Sequence, residues 1–520
     1  GDFSGLLSKL GAGKFSESVS VRLRGSGTAG SIAMAAGDVL TSHDVLLVSD
    51  QGDIRLAGVI DSTGARGGNV QAYAAGDVAL LSGAQLNAYA TRSEAQYAGS
   101  SGDGGKVTLG TVGGHIDIQS GSALDVSAHG SYAEGGSVVL RAPRNSAGTD
   151  MAIAHLDGAI VGVDEVVAEG FKSYAQNSLG ASDIAVNSAI YNDANAFMAN
   201  AAAIAARLGK TSDPAFHVRP GVEMDSAGDL TLNGDLGLQA LHVAGESGVL
   251  TLRAAGDLIL NGSISDGFNG TAASATQNSG DSWSYRLASG ADAGSSNPLA
   301  VRDKTDLAGK GNFTLAAGKM VRTGTGDIDI AVGGDLTLKS TSATQVAVIY
   351  TAGVPGDTTG YAIPSGTPKA VFPDRGGDLA IQVGGDVTAE VSGTSNKNQQ
   401  QLITDWLARK VNAGSTFWWP DFSAFRQGVG ALGGGNVQIA AGGDIVNLGA
   451  VVPVSGKTNT TSGGMDVRGG GDLTVVAGGD IRGGVFQVGS GQGRIQSGGA
   501  IREGRTVSGV PIYPYLALEQ

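Results

Sequence analysis

Asp327 and Asp329 are separated by one isoleucine. In a strand, that spacing puts both carboxylates on the same face. Enzymes that cleave polysaccharides need two or three acids clustered in this way, with a base nearby. Asp327-Ile328-Asp329 is the closest local match to such a pair, although paired acids at a turn explain it equally well. Most other prominent carboxylates follow a glycine. Calcium-binding arrays need consecutive GGxGxD repeats, so that adjacent turns surround one ion. Here most Gly-Asp pairs lie eight or more residues apart and lack the second glycine spacing. The plainer reading is that each Asp hydrogen-bonds the backbone of a tight turn. None of the six histidines is paired as HxH or HxxxH. There is no GxSxG motif, no P-loop and no dinucleotide fingerprint between a strand and a helix. The chain is therefore expected not to be an enzyme, with no catalytic residues, cofactor or metal.

The elements that carry these acids repeat. Between Gly433 and Gly484 a glycine pair, an Asn or Asp, an alternating apolar strand and a second Gly-Asp recur. Asn436 and Asp444 are eight positions apart, as are Asp472 and Asp480, Asn69 and Asp77, Asp327 and Asp335, and Asp378 and Asp386. Alternation such as Val437-Gln438-Ile439 is the period of a strand with one buried face. The glycines are expected at sharp corners, often with positive φ. A unit this small cannot bury its own apolar face, whereas stacked units bury a continuous core.

The AAGD and AGGD phrases, His217 to Met224 (HVRPGVEM) and Ala254 to Phe268 resemble filamentous-haemagglutinin-like exoproteins. So does the run from Gly469 to Ile501. The resemblance covers most of the chain. It implies a right-handed parallel β-helix, all-β, with a few extrahelical loops and short α-helices. It also implies a secreted Gram-negative protein of the two-partner route, held at the cell surface and outer membrane. The implied role is a structural and adhesive shaft for cell contact. Partners would be a glycan or protein on a host or neighbouring cell, the outer-membrane transporter during export, and sister segments in fibres. The alternatives are a carbohydrate-active β-helix enzyme using Asp327 and Asp329, or the delivery shaft of a contact-dependent toxin system.

Composition narrows the options. Glycine supplies 87 of 520 residues, but there are only 12 prolines and no Gly-X-Y period, which excludes collagen. The net charge is −14 and no basic run occurs, which argues against nucleic acid as a partner. Cysteine is absent, so no disulfide scaffold exists. No apolar run approaches the length of a membrane-spanning helix. The opening GDFS lacks the features of a signal peptide, and the chain is expected to be an internal or processed segment.

The repeats divide the chain as follows. Winding is expected over 1–190, 222–391 and 433–501, forming one elongated body. Insertions are expected at 191–221 and 392–432, long loops at 91–105, 265–311 and 352–374, and a tail or linker at 502–520. Within 191–221, Asp193 to Leu208 reads as one amphipathic helix, capped by Asp193 and stopped by Gly209. Within 392–432, Gln401 to Lys410 reads as a second. It contains Trp406, and Phe417, Trp418, Trp419, Phe422 and Phe425 follow, concentrating the few aromatics in one break of the repeat. They are expected on the outside of the shaft, either as a satellite core or as a contact patch for a partner.

Overall fold

A computed structural model of the chain describes residues 3–91, 102–130, 133–270, 274–391, 401–412, 414–506, 508–509 and 511–518. It is mostly β. Fourteen strands, from Ser18–Leu23 to Gly493–Ser497, form one sheet in chain order, and its neighbours run parallel. Between successive strands of this long sheet the chain visits two further stacks. In the first part these are two five-stranded sheets, beginning at Ile32–Met34 and Val39–Thr41. In the second part they are a nine-stranded sheet beginning at Ser178–Leu179 and an eight-stranded one beginning at Leu236–Gly237. Except between Val163–Ala175 and Phe216–Ser226, where only the strand Ser178–Leu179 intervenes, each circuit thus adds a strand to three parallel stacks.

Register explains why the repeated phrase stacks. Ile32, Ile54, Val78, Ile116 and Ile153 are successive partners in one column. Leu258, Phe313, Leu336, Val387, Ile445 and Ile481 form another. The same alternation in every circuit puts like apolar residues above one another, facing inward. Two separate cores result. One runs from Phe3 to Val243 and the other from Leu179 to Val488.

The corners carry the second regularity. The side-chain oxygen of an Asp or Asn accepts the backbone N–H of the residue at the same corner one circuit later. This runs Asp229 to Asp257 (2.8 Å), then to Asn312 (2.9 Å), Asp335 (2.9 Å), Asp386 (2.7 Å), Asp444 (2.8 Å), Asp480 (2.7 Å) and Ala500 (2.8 Å). A second ladder joins Asp327, Asp378, Asn436, Asp472 and Gln492 over 2.7–2.9 Å. In the second ladder the glycines before Asn436, Asp472 and Gln492 have positive φ, as expected, whereas in the first ladder the glycine is required for a different reason. Gly385, Gly443 and Gly479 are not in the positive-φ region. A Cβ on them would lie 1.9–2.1 Å from the Oδ1 of Asp335, Asp386 and Asp444 respectively. The carboxylate below occupies the space a side chain would need.

Several expectations need correction. Phe3–Gly13 forms a helix (α1) that buries Phe3 and Leu7 on the open end of the first core. Asp193 to Leu208 is two helices, α2 (Ala189–Met198) and α3 (Ala201–Arg207). Ser188 caps α2 by accepting the Tyr191 N–H at 3.1 Å, while Asp193 faces Lys172 and the Tyr174 hydroxyl. Gly209 does end α3, at φ +70. Gln401 to Lys410 is not a helix. Ile403–Asp405 makes one 3-10 turn, and Leu407–Asn412 pairs antiparallel with Ser415–Pro420. The aromatic and β-branched strand opposite outweighs helical spacing, and Gly414 at φ +79 closes the turn. The 265–311 insertion contains Ser284–Ser289, a full member of the long sheet, so Trp283 and Tyr285 are core residues. Tyr515–Leu518 ends the eight-stranded sheet, so the stacks extend into the expected tail. Of the loop expected at 91–105, residues 92–101 lie outside the described residues.

Two substitutions check this architecture by chemical denaturation. Leu473 is fully buried and Thr474 half-buried. Leu473→Asp strands a carboxylate in the core and is expected to cost about 3–5 kcal/mol, whereas Thr474→Asp should stay within about 0.5 kcal/mol. Equal costs would refute the inward and outward assignment.

Candidate functional site

Towards its middle the outward face of the long sheet is buried as well, whereas Gln382, Gln438 and Arg494 nearer one end are exposed. Tyr73 lies between Ala72 and Ala74 of the first core, yet it is 2% exposed. Thr108, Val139, Ala288 and Ala331 are similarly buried on that outer face. The cause is a bend at the two longest strands, Val163–Ala175 and Phe216–Ser226. It brings the outer faces of the sheet's two ends together. Arg22 reaches Asp292 at 2.6 Å and the Ser296 hydroxyl donates to the Ser49 and Tyr73 carbonyls at 3.1 and 3.0 Å. Arg66 bonds Asn436 and lies 3.6 Å from Asp472. Lys106 pairs with Asp327, and Arg494 lies 3.8 Å from Glu17. A stack read from repeats alone is straight; this one doubles back.

At the bend, Arg141, Glu169, Glu223 and Arg286 are all at least nine-tenths buried. Arg286 bonds Glu169 at 2.8 Å, Arg141 bonds Glu223, and Arg253 lies 3.6 Å from Glu223. The Arg141 guanidinium also stacks on Phe171 at 3.7 Å. Burial alone would raise the Glu223 carboxyl, but Arg141 and Arg253 outweigh it and hold it below its ordinary value. Buried charges survive here because each is paired.

Farther out the seam is a partly exposed cleft rich in acids, and Asp327 and Asp329 sit in it. Burial opposes ionisation of Asp327, but the Lys106 ammonium overrides it and lowers its pKa. Burial raises Asp329. Asp378 is raised by desolvation from the surrounding chain and by repulsion from Asp327, but its side chain is exposed at the lip of the cleft, so solvent screens part of that shift. Carboxyls whose pKa values are driven apart suit acid–base work. Yet Asp327 and Asp378 are also rungs of the second ladder. Asp327 Oδ1 accepts the Asp378 N–H at 2.9 Å, and Asp378 Oδ1 accepts from the backbone and side chain of Asn436 at 2.7 and 3.0 Å. Those oxygens are committed to structure. Lys106 lies 221 residues from Asp327, so spacing could not reveal it.

One group has metal-ligand geometry that sequence reasoning missed. Ligand atoms of Glu165, His217 and Asp281 lie within 4.8 Å of one another. Arg219 already fills the space between them, pairing with Glu165 and with Asp281 at 3.0 Å. His217 is tied to Glu246 at 3.0 Å, and that contact raises its pKa. A cation would have to displace the guanidinium. Between α2 and the second core, a cavity of about 10 Å³ lined by Ile190, Leu238, Leu250 and Trp283 is no larger than one water molecule.

The aromatic group falls into two satellite clusters. Trp406, Phe422 and Phe425 pack with Phe268 and Tyr350, and Phe417 and Trp419 pack with Phe372. Edge-to-face contacts at 5.2 Å (Trp406–Phe425) and 5.3 Å (Phe268–Phe422) hold the first. These five side chains are 0–6% exposed. Trp418 alone is half-buried; its ring lies over Gly456 and its Nε1 donates to the Val454 carbonyl at 3.0 Å.

Trp406→Ala is expected to cost about 3–5 kcal/mol in urea unfolding, while Trp418→Ala should cost less than half as much. The reverse order would place the energetic weight on the exposed ring. Similarly, Lys106→Met takes from Asp327 its bonded cation and leaves it facing Asp329 and Asp378, with Arg286 as its remaining positive neighbour. Asp327 then loses the partner that lowers its pKa, so the stability it contributes above the ordinary carboxylate range should disappear. Melting temperatures at pH 7 should fall relative to wild type, and the difference should narrow as the pH drops below about 4, where the carboxyls protonate in both proteins. No family model, curated protein or solved structure matches the chain.

Proposed function

We propose that this chain is a right-handed parallel β-helix from a secreted bacterial surface protein of the filamentous-haemagglutinin-like kind. Its role is to be a structural and adhesive shaft for cell-surface contact. The observation that carries the reading is the pair of Asp/Asn ladders. They turn the most frequent carboxylates into backbone acceptors along the stack and leave them little part in chemistry. The hand follows from the strong preference of parallel crossovers. Elements outside the stacks supply contact surface. The sheet of Leu407–Asn412, Ser415–Pro420, Val454–Thr458 and Met465–Gly469 stands on the second stack, with Val411 69% and Met465 46% exposed. Its partners would be a glycan or protein on another cell, with the outer-membrane transporter engaged during export.

The test is saturable binding of the labelled chain to bacterial and epithelial cells, repeated after replacing Arg409, Lys410 and Val411 together. The reading expects saturable binding that weakens in the variant. Absence of binding to every cell type would contradict it. A second reading, glycan cleavage, is favoured by one arrangement: Asp378, whose carboxyl is raised, stands directly beside Asp327, whose carboxyl Lys106 holds below its ordinary value. Turnover of acidic polysaccharides that disappears in Asp327→Asn would move the assignment there.

A further inference from the structure

We propose that Trp418 and Arg409 form a docking platform for an acidic glycan, one whose pyranose rings carry carboxylates. The platform lies on the sheet that supplies contact surface, so it rests on the adhesive reading of the chain. Alternation along Ser415–Pro420 sends Phe417 and Trp419 inward onto Phe372 and turns Trp418 to the outer face. Gly456 stands opposite Trp418 on the next strand. A Cβ at Gly456 would run into three carbons of the six-membered ring, so one face of that ring rests on the glycine. The indole Nε1 donates to the Val454 carbonyl at 3.0 Å, which fixes the orientation of the ring. Trp418 belongs to neither aromatic cluster, and among the described residues no other ring or cation stacks on it. An indole held in this way presents its electron-rich face outward. The C–H face of a pyranose is flat and weakly positive, and it matches that surface.

Charge decides which pyranose. Arg409 is the direct partner of Trp418 in the antiparallel register, so the two side chains share a face with Cβ atoms about 5 Å apart. The cations on the neighbouring strands are neutralised, because Lys457 lies 3.4 Å and Arg468 3.0 Å from Asp466. Arg409 is exposed and makes no ion pair among the described residues. In a chain with a net charge of −14, an unpaired guanidinium beside an open indole is a local reversal of sign. Its planar fork takes a carboxylate through two parallel hydrogen bonds. A carboxylated pyranose satisfies both groups at once, with its C–H face on Trp418 and the carboxylate at its edge on Arg409. A neutral sugar leaves Arg409 unused, and an acidic peptide has no flat C–H face for the indole. Val411 and Met465, 69% and 46% exposed, continue the same face to either side and give room for adjoining sugar rings.

Trp283, Trp406 and Trp419 are buried, so acrylamide quenching of the full chain reports on Trp418. The probe is a hyaluronan hexasaccharide, which is carboxylated and unsulfated, with its carboxyl-reduced form as the neutral control. The expected result is saturable protection of Trp418 from acrylamide by the acidic form, with about tenfold weaker binding of the neutral one. In calorimetric titrations, Trp418→Ala should abolish binding of both forms. Arg409→Met should bring the acidic form down to the affinity of the neutral one and leave the neutral one unchanged. Gly456→Ala keeps the tryptophan but lifts its ring, and should lose binding as well. Should Gly456→Ala fail to fold, as circular dichroism would show, the Arg409→Met comparison still decides. Equal affinity for the two forms in the wild type, unchanged binding in Trp418→Ala, or no binding of either form overturns the platform. If the hexasaccharide does not bind while the chain still binds cells saturably, the shaft reading stands and the occupant of this face is a protein. If the hexasaccharide binds while no cell type is bound, the platform stands and the shaft reading falls.

Discussion

One hydrogen bond, repeated, sets the rest of this structure. A carboxylate or amide oxygen at a corner receives the N–H of the same corner one circuit later, over 2.7–2.9 Å in both ladders. Chain corners expose backbone donors that strand pairing does not reach, and a buried donor without a partner is costly. The ladder supplies that partner from within the stack. In the first ladder it also dictates the glycine that precedes the acid, because the accepting oxygen fills the Cβ position; in the second, the carbonyl of the glycine one circuit earlier fills it, as at Gly377, Gly435 and Gly471. Spacing, turn and residue type are thus tied together. The strands between corners need only alternate to place like residues in columns, as Ile439 and Val475 do.

The second constraint is the doubled sheet. An exposed sheet face this long is usually polar and solvated. Here it closes on itself, and its polar residues meet across the seam. Near the bend the charges are buried and paired, so removal of one partner would leave its counterpart uncompensated. Farther out they are half-exposed, where solvent screening keeps each ion pair weak. The same chain therefore has a stiff joint at Glu169 and Arg286 and a softer rim at Glu17 and Arg494.

Much of this was legible in the residues. Strands such as Ile54–Leu56, Asn69–Ala74 and Ile116–Ile118 fall where alternation between Gly-Asp corners places them. The corner role of the acids was also readable, because a short polar side chain after glycine has few other uses at a turn. Elements that depend on a distant partner were not. Leu407–Asn412 has helical spacing, but the aromatic strand opposite makes it β. Ser284–Ser289 sits in a long polar stretch, although Gly280-Asp281 precedes it, and joins the sheet through its register with Val249–Ala254. The cleft was half-visible. Asp327 and Asp329 stood out as a pair, but Lys106 lies 221 residues away, and Arg66 lies 370 residues from Asn436. No local pattern encodes a sheet that folds back.

Native-state hydrogen exchange at the corners tests the central claim most directly. The amides of Asp335, Asp386, Asp444 and Asp480 donate to carboxylate or amide oxygens one circuit earlier, not to strand partners. The account predicts that they exchange as slowly as the neighbouring strand amides Leu336 and Ile445, and that Asp386→Ala accelerates the Asp444 amide selectively. Corner amides that exchange at the rate of solvent-exposed turns in the wild type would contradict it.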